Sequence, residues 1–92
     1  MVHVEITSHL FTFFPVLKGK KIEMEAVTAR EVVTELEGIA PGISFYLCDE
    51  GGALRPHVNI FIGQERIVDR KTLTDSITPG TRVLIMQALS GG

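Results

Sequence analysis

The stretch that decides the fold is residues 82–89, RVLIMQAL, which runs directly into SGG at 90–92. Val and Ile are enriched in strands because their branched side chains pack well on a pleated surface. Glycine suits no such setting, since it loses the most backbone freedom on ordering and has no side chain to pack. The sequence therefore predicts a buried final strand over residues 82–89 that holds a thin, flexible C-terminal tail, residues 90–92, at a defined place on the fold.

Length and composition place the chain among single globular domains. It has 92 residues, of which 45% are hydrophobic and 22% charged, and its net charge of −2 argues against nucleic acid as a partner. The single cysteine, Cys48, excludes an internal disulfide and fits a reducing compartment. No basic and apolar leader precedes the first strand pattern, and no apolar run is long enough to cross a bilayer. We therefore expect a cytoplasmic protein with no membrane partner.

The N-terminal third predicts a hairpin. Val2, Val4 and Ile6 alternate with polar residues, which is typical of a half-buried strand. A second alternation begins at Ile22 and ends at Ala26. Between the two strands, residues 10–15 carry three of the five phenylalanines, and we interpret them as a packed connection closed by Pro15. Two strands joined in this way form a hairpin.

A helix follows the hairpin. Thr28 and Glu31 have the spacing of a capping box, in which each residue bonds a free backbone N–H at the helix start. Gly38 is predicted to take the left-handed position at the C-terminal end, and Pro41 prevents continuation. The apolar positions that follow helical spacing form one stripe: Ala29, Val32, Val33 and Leu36.

The second half predicts shorter elements. Residues 43–48 fit either a helical turn or a strand, and a strand follows Pro56, where Val58, Ile60 and Ile62 alternate with other residues. The remaining predicted elements are turns at 49–52, 63–64 and 78–80, a short edge segment at 65–68 and a single helical turn at 72–77.

The order of these elements predicts an α+β fold. A sheet of this kind needs its helix to cover one face. Both chain ends are predicted as core strands, and placing them side by side in the centre hides two exposed edges. The expected architecture is a β-grasp (ubiquitin-like) fold, a mixed sheet of four to five strands with one main helix packed on one face. Its domain would span residues 1–89, and residues 90–92 would form the tail.

Strand alternation also predicts a candidate docking face. If Val83 and Ile85 face the helix, Leu84 and Met86 face away from it, and Phe61 is their expected neighbour. We predict that Phe61, Leu84 and Met86 form a partner-binding patch. The alternative is that a loop covers them.

The sequence contains no recognisable catalytic, metal or cofactor motif. The three histidines lie far apart without ligand spacing, and Cys48 has no basic sequence neighbour to activate its thiol. The reactive group that remains is the carboxylate of Gly92, because a terminal carboxyl group has a pKa of about 3.5 and is anionic at neutral pH. Residues 89–92 give about 13 Å of extended reach. The last two residues, Gly91 and Gly92, have no Cβ to collide with the walls of a narrow channel.

The chain resembles the ThiS/MoaD family of sulfur carriers. The resemblance covers nearly the whole chain and is most specific in VNIFIG at 58–63, ITPGTRVLI at 77–85 and SGG at 90–92. The run LRPHVN at 54–59 looks most like the carrier of cysteine biosynthesis, while Thr81 stands where many relatives have Asp.

The resemblance implies a substrate of other enzymes rather than an enzyme. An E1-like adenylyltransferase would adenylate Gly92 with ATP, and sulfur would replace the adenylate to give a thiocarboxylate for a sulfur-accepting biosynthetic enzyme. Ser90 and Gly91 would belong to the tail. Cysteine, thiamin and molybdopterin pathways all fit, as does ubiquitin-like conjugation to lysines. A non-catalytic β-grasp adaptor with an incidental Gly-Gly end is the rival from another class.

Overall fold

The computed structural model describes residues 1–87. Within this part of the chain the sheet contains β1 (Val2–Ile6), β2 (Ile22–Met24), β3 (Val58–Ile62), β4 (Glu65–Arg66) and β5 (Arg82–Gln87). The helices are α1 (Ala29–Ile39) and α2 (Ile43–Leu47), and two short 3₁₀ helices, Ser8–Thr12 and Pro15–Leu17, connect β1 to β2. No helix in this part is long and apolar enough to cross a membrane.

The strands form one mixed sheet in the order β2-β1-β5-β3-β4. The first and last strands are parallel neighbours at its centre, with Val4 opposite Val83 and Ile6 opposite Ile85. The other pairs, β1 with β2, β3 with β4 and β3 with β5, are antiparallel. The predicted β-grasp architecture is confirmed, including the central pairing of the two chain ends.

The core lies between one face of the sheet and α1. Val83 and Ile85 are fully buried, and so are Val32 and Leu36 of the predicted helical stripe. The helix begins as the capping box predicts, because the Thr28 hydroxyl accepts a hydrogen bond from the Glu31 N–H at 3.3 Å. The reciprocal bond is shifted by one residue, since the Glu31 carboxylate accepts from the N–H of Val27 rather than that of Thr28.

The C-terminal end of α1 differs from the prediction. Gly38 lies inside the helix, and the left-handed conformation belongs to Gly42, whose φ is 99°. The Glu37 carboxylate accepts hydrogen bonds from the N–H groups of Gly42 and Ser44, at 2.8 and 2.9 Å, and these bonds hold the Glu37 pKa below its usual value. This carboxylate ties the link after α1 to the start of α2. Of the ambiguous segment at 43–48, residues 43–47 are helical and Cys48 is extended.

The helical turn predicted at residues 72–77 is wrong. The Asp69 carboxylate accepts hydrogen bonds from the backbone N–H and the hydroxyl of both Thr72 and Thr74, which gives the backbone an alternative to helical bonding. Leu73 is held between them at a φ of 55° with its side chain fully buried. The predicted edge segment is also shorter than expected, because pairing ends at Arg66.

Candidate functional site

The predicted tail lies outside the described residues. This applies to Ser90, Gly91 and Gly92, and also to the last two positions of the predicted final strand, residues 88–89. The structure follows the strand that precedes the tail as far as Gln87, which pairs with Val58 of β3. The chain therefore reaches residue 88 from the central strand of the sheet.

The end of β5 is also bonded on its β1 side. The backbone N–H and the hydroxyl of Thr7 both donate to the carbonyl of Ile85, at 3.0 and 2.9 Å. The N–H of Gln87 donates to the same hydroxyl at 3.2 Å. The side-chain oxygen of Gln87 is buried and has no hydrogen-bond partner among residues 1–87. Sequence reasoning missed Thr7, because its contacts join opposite ends of the chain.

The structure brings the three predicted docking residues together on the sheet face opposite α1. Phe61 and Leu84 are directly opposite each other on β3 and β5, and Met86 lies two residues further along β5, opposite Asn59. Phe61 and Leu84 are half-buried, and Met86 is 39% exposed. We call these three residues the open-face patch. Its partner-binding role remains a prediction.

Charged and polar side chains border the open-face patch on both sides. On the β1 side, Arg82 and Glu5 form an exposed ion pair at 3.2 Å. On the other side, Arg66 lies opposite Phe61, and the Arg70 guanidinium donates to the Asn59 side chain at 3.0 Å. Exposed ion pairs contribute little to stability. An apolar centre with a polar rim is the usual layout of a protein-binding surface.

Cys48 is a buried thiol that lies beside Arg30 of α1. It is 3% exposed, and burial raises its pKa, an effect that Arg30 of α1 partly opposes. The nearby arginine was not predicted, since nothing in the linear sequence places position 30 beside position 48. Within residues 1–87, no group of three histidine, cysteine or acidic side chains could hold a metal ion.

An aromatic cluster joins the phenylalanine-rich connection to α2 and was only partly anticipated. The phenylalanine-rich connection does contribute to packing, since Leu10 is fully buried. Phe13, however, is 54% exposed and lies 5.3 Å from the ring of Tyr46 on α2, which also contacts Phe14. The signal for this cluster in the sequence was the presence of three phenylalanines in one short connection.

Comparison with known proteins gives matches among solved structures. No family model matches the chain, and no curated protein matches it. CysO of Mycobacterium tuberculosis is 30% identical over 97% of this chain and all of its own, with a TM-score of 0.80. A chain of the Amycolatopsis orientalis BexX/CysO complex is 25% identical over the full length of both, with a TM-score of 0.82. SAMP1 of Haloferax volcanii shares the fold, with a TM-score of 0.71 at 17% identity over 99% of this chain and 98% of its own.

These matches and the sheet topology define the class as a ubiquitin-like β-grasp protein. The identity to CysO extends over nearly the whole chain rather than over one motif. The chain belongs to the ThiS/MoaD family of sulfur carrier proteins, with CysO among its relatives.

Proposed function

We propose that this chain carries sulfur on the C-terminal carboxylate of Gly92, after an E1-like enzyme has adenylated it with ATP. The observation that best supports the proposal is the position of β5. It is the central strand, paired along both sides, and it brings the chain to Gln87, from which residues 88–92 lead to the carboxylate. The domain of residues 1–89 would then be a rigid holder and residues 90–92 the part that enters another enzyme.

The chemistry needs little from the carrier itself. A carboxylate oxygen of Gly92 attacks the α-phosphorus of ATP, the bond to the pyrophosphate oxygen breaks, and an acyl adenylate and pyrophosphate result. A reduced sulfur donor, equivalent to hydrosulfide, then attacks the carbonyl carbon and AMP leaves, which gives the thiocarboxylate. The carrier supplies the nucleophile and the reach, and its partners supply catalysis. Because the first step consumes ATP, the cytoplasm is the proposed compartment.

Two partners follow from this sequence of steps, the E1-like adenylyltransferase and a biosynthetic enzyme that accepts the sulfur. We propose that the open-face patch docks at least the first of them. Phe61, Leu84 and Met86 lie on the sheet face that the helices leave free, and Met86 is on the strand that leads to the tail. A partner bound to the open-face patch would therefore lie close to the strand from which the tail extends.

Cysteine biosynthesis is the proposed destination of the sulfur. The supporting observation is the identity to CysO of 30% and 25% in two organisms. Thiamin or molybdopterin synthesis is the alternative destination that the resemblance to the ThiS/MoaD family implies.

Intact-mass measurement tests the proposal. The chain is incubated with the adenylyltransferase of the same cell, ATP and a sulfide donor. A carrier gains the mass difference of one oxygen-to-sulfur exchange, whereas a ubiquitin-like modifier becomes linked to lysines of other proteins. An adaptor changes in neither way, and that result would refute the proposal.

Two tail variants test the site itself. Deletion of Gly92 shortens the reach by about 3.5 Å, and Gly91→Phe adds a ring where a narrow channel is expected. Both should melt like the native protein and lose ATP–pyrophosphate exchange. Gly51→Phe is a matched control, because Gly51 is an exposed glycine of the internal Gly-Gly pair, where a Cβ meets only the Asp49 carboxylate at 3.5 Å. Exchange at the native rate without Gly92 would show that the terminal glycines have no role.

A further inference from the structure

β5, the strand that leads to the tail, stops pairing with β1 before its last described residue, Gln87. The final β1–β5 pair is Ile6 with Ile85, while β3 continues to pair as far as Gln87. Beyond Ile6 the chain turns away, because the Thr7 carbonyl accepts from the N–H of Leu10 at 3.0 Å to begin the first 3₁₀ helix. That carbonyl is therefore engaged elsewhere at the point where a continued parallel ladder would have used it.

The Thr7 side chain replaces the missing strand contact. Its hydroxyl donates to the carbonyl of Ile85 at 2.9 Å and accepts from the N–H of Gln87 at 3.2 Å. The two roles require a group that is donor and acceptor at once, which a hydroxyl is and an aliphatic side chain is not. One side chain from the start of the chain thus bonds both sides of Met86, in the segment that leads to the tail.

We propose that Thr7 is a positioning residue for the reaction of the terminal carboxylate. The role rests on the proposed function, and Thr7 itself touches no reacting atom. Fixing Gln87 defines the point from which the tail reaches the α-phosphate. In-line attack is sensitive to such placement, since a displacement of about 1 Å can cost about 100-fold in rate.

The test compares Thr7→Val and Thr7→Ala, which remove the hydroxyl, with Thr7→Ser, which keeps it. Thr34→Val is the matched control, because the exposed Thr34 hydroxyl on α1 also donates to a backbone carbonyl, that of Arg30 at 3.1 Å. Hydrogen exchange is measured at the Gln87 amide, with the Val83 amide as an internal reference. ATP–pyrophosphate exchange with the E1-like adenylyltransferase gives kcat and the KM for the carrier.

Loss of one hydrogen bond should lower Gln87 protection about two- to tenfold in Thr7→Val and Thr7→Ala, with Val83 unchanged. The kcat should fall about tenfold, and the KM should stay within about twofold because the open-face patch is intact. Thr7→Ser and Thr34→Val should match the wild type in both measurements.

Four results would overturn the inference. If Thr7→Val keeps the native kcat although its Gln87 protection is reduced, the positioning role is refuted and the proposed function is not. If Thr7→Ser loses as much kcat as Thr7→Val, the hydroxyl is not the group responsible. Unfolding of both Thr7→Val and Thr7→Ala would assign Thr7 a structural role. Absence of exchange with the wild-type chain would instead refute the proposed function, and the positioning role with it.

Discussion

Met86 and Ile85 are consecutive residues of β5 with opposite surroundings, and this contrast allows a sharp test of the docking face. Ile85 is fully buried against the helix side, whereas Met86 is 39% exposed on the open face. Ile85→Ala should cost about 2–5 kcal/mol of unfolding free energy, as buried aliphatic truncations do. Met86→Glu should cost less, at most about 0.9–1.8 kcal/mol, because only the covered part of its side chain packs within the chain.

The expected effect of Met86→Glu on docking follows from its exposure. Full burial of a methionine side chain is worth about 1.5–3 kcal/mol. Since 39% of Met86 is still exposed, about 0.6–1.2 kcal/mol of this remains to be gained from a partner. A glutamate forfeits that gain and adds a desolvation cost of about 1–3 kcal/mol. The Kd for the adenylyltransferase should therefore rise between about 15-fold and 1,000-fold.

Calorimetric titration with the adenylyltransferase measures the affinity, and urea unfolding measures the stability. Phe45→Glu is the control, because Phe45 is a large exposed side chain on α2, which packs beside α1 away from the open face. It should leave the Kd unchanged. A native Kd for Met86→Glu would refute docking at the patch, and an unfolded variant would show that Met86 is part of the core. Weakening by Phe45→Glu instead would place the partner on the helix side.

Three further predictions concern stability. Leu36→Ala should cost about 2–5 kcal/mol in urea unfolding, since Leu36 is fully buried, and a loss below about 0.5 kcal/mol would remove it from the core. Gly38→Ala should stabilise the protein by about 0.5–1 kcal/mol, because Gly38 is helical with open space around it. Gly42→Ala should destabilise it, because φ is 99° there. Equal effects of the two variants would contradict the assignment of Gly42, rather than Gly38, to the left-handed conformation. Hydrogen bonds from Thr72 and Thr74 hold the Asp69 pKa well below its usual range. The stability that Asp69 provides is therefore complete at neutral pH and is lost as pH falls below about 4. The difference in urea midpoint between wild type and Asp69→Asn should narrow below that pH. A midpoint difference that does not change with pH would refute the role of the Asp69 carboxylate.

The sequence alone was sufficient for the order of the strands, the main helix and the architecture. Alternating residues point to opposite faces of a strand, so parity alone put Leu84 and Met86 on one face and Val83 and Ile85 on the other. The start of α1 was equally predictable, because a capping box needs only residues three apart. The role of Gly92 rests on the terminal sequence and the family, and it awaits the tail experiments.

Only the tertiary structure decided which side chains bond particular backbone groups. The Glu37 carboxylate selects helix for residues 43–47, and the Asp69 carboxylate excludes it near Leu73. Thr7 reaches the end of β5 across nearly the whole chain. Periodicity reports which face a residue occupies, but it carries no information about which side-chain acceptor satisfies a given N–H. That pairing is fixed only in the folded chain, because a hydrogen bond forms only where donor and acceptor lie within reach and in line.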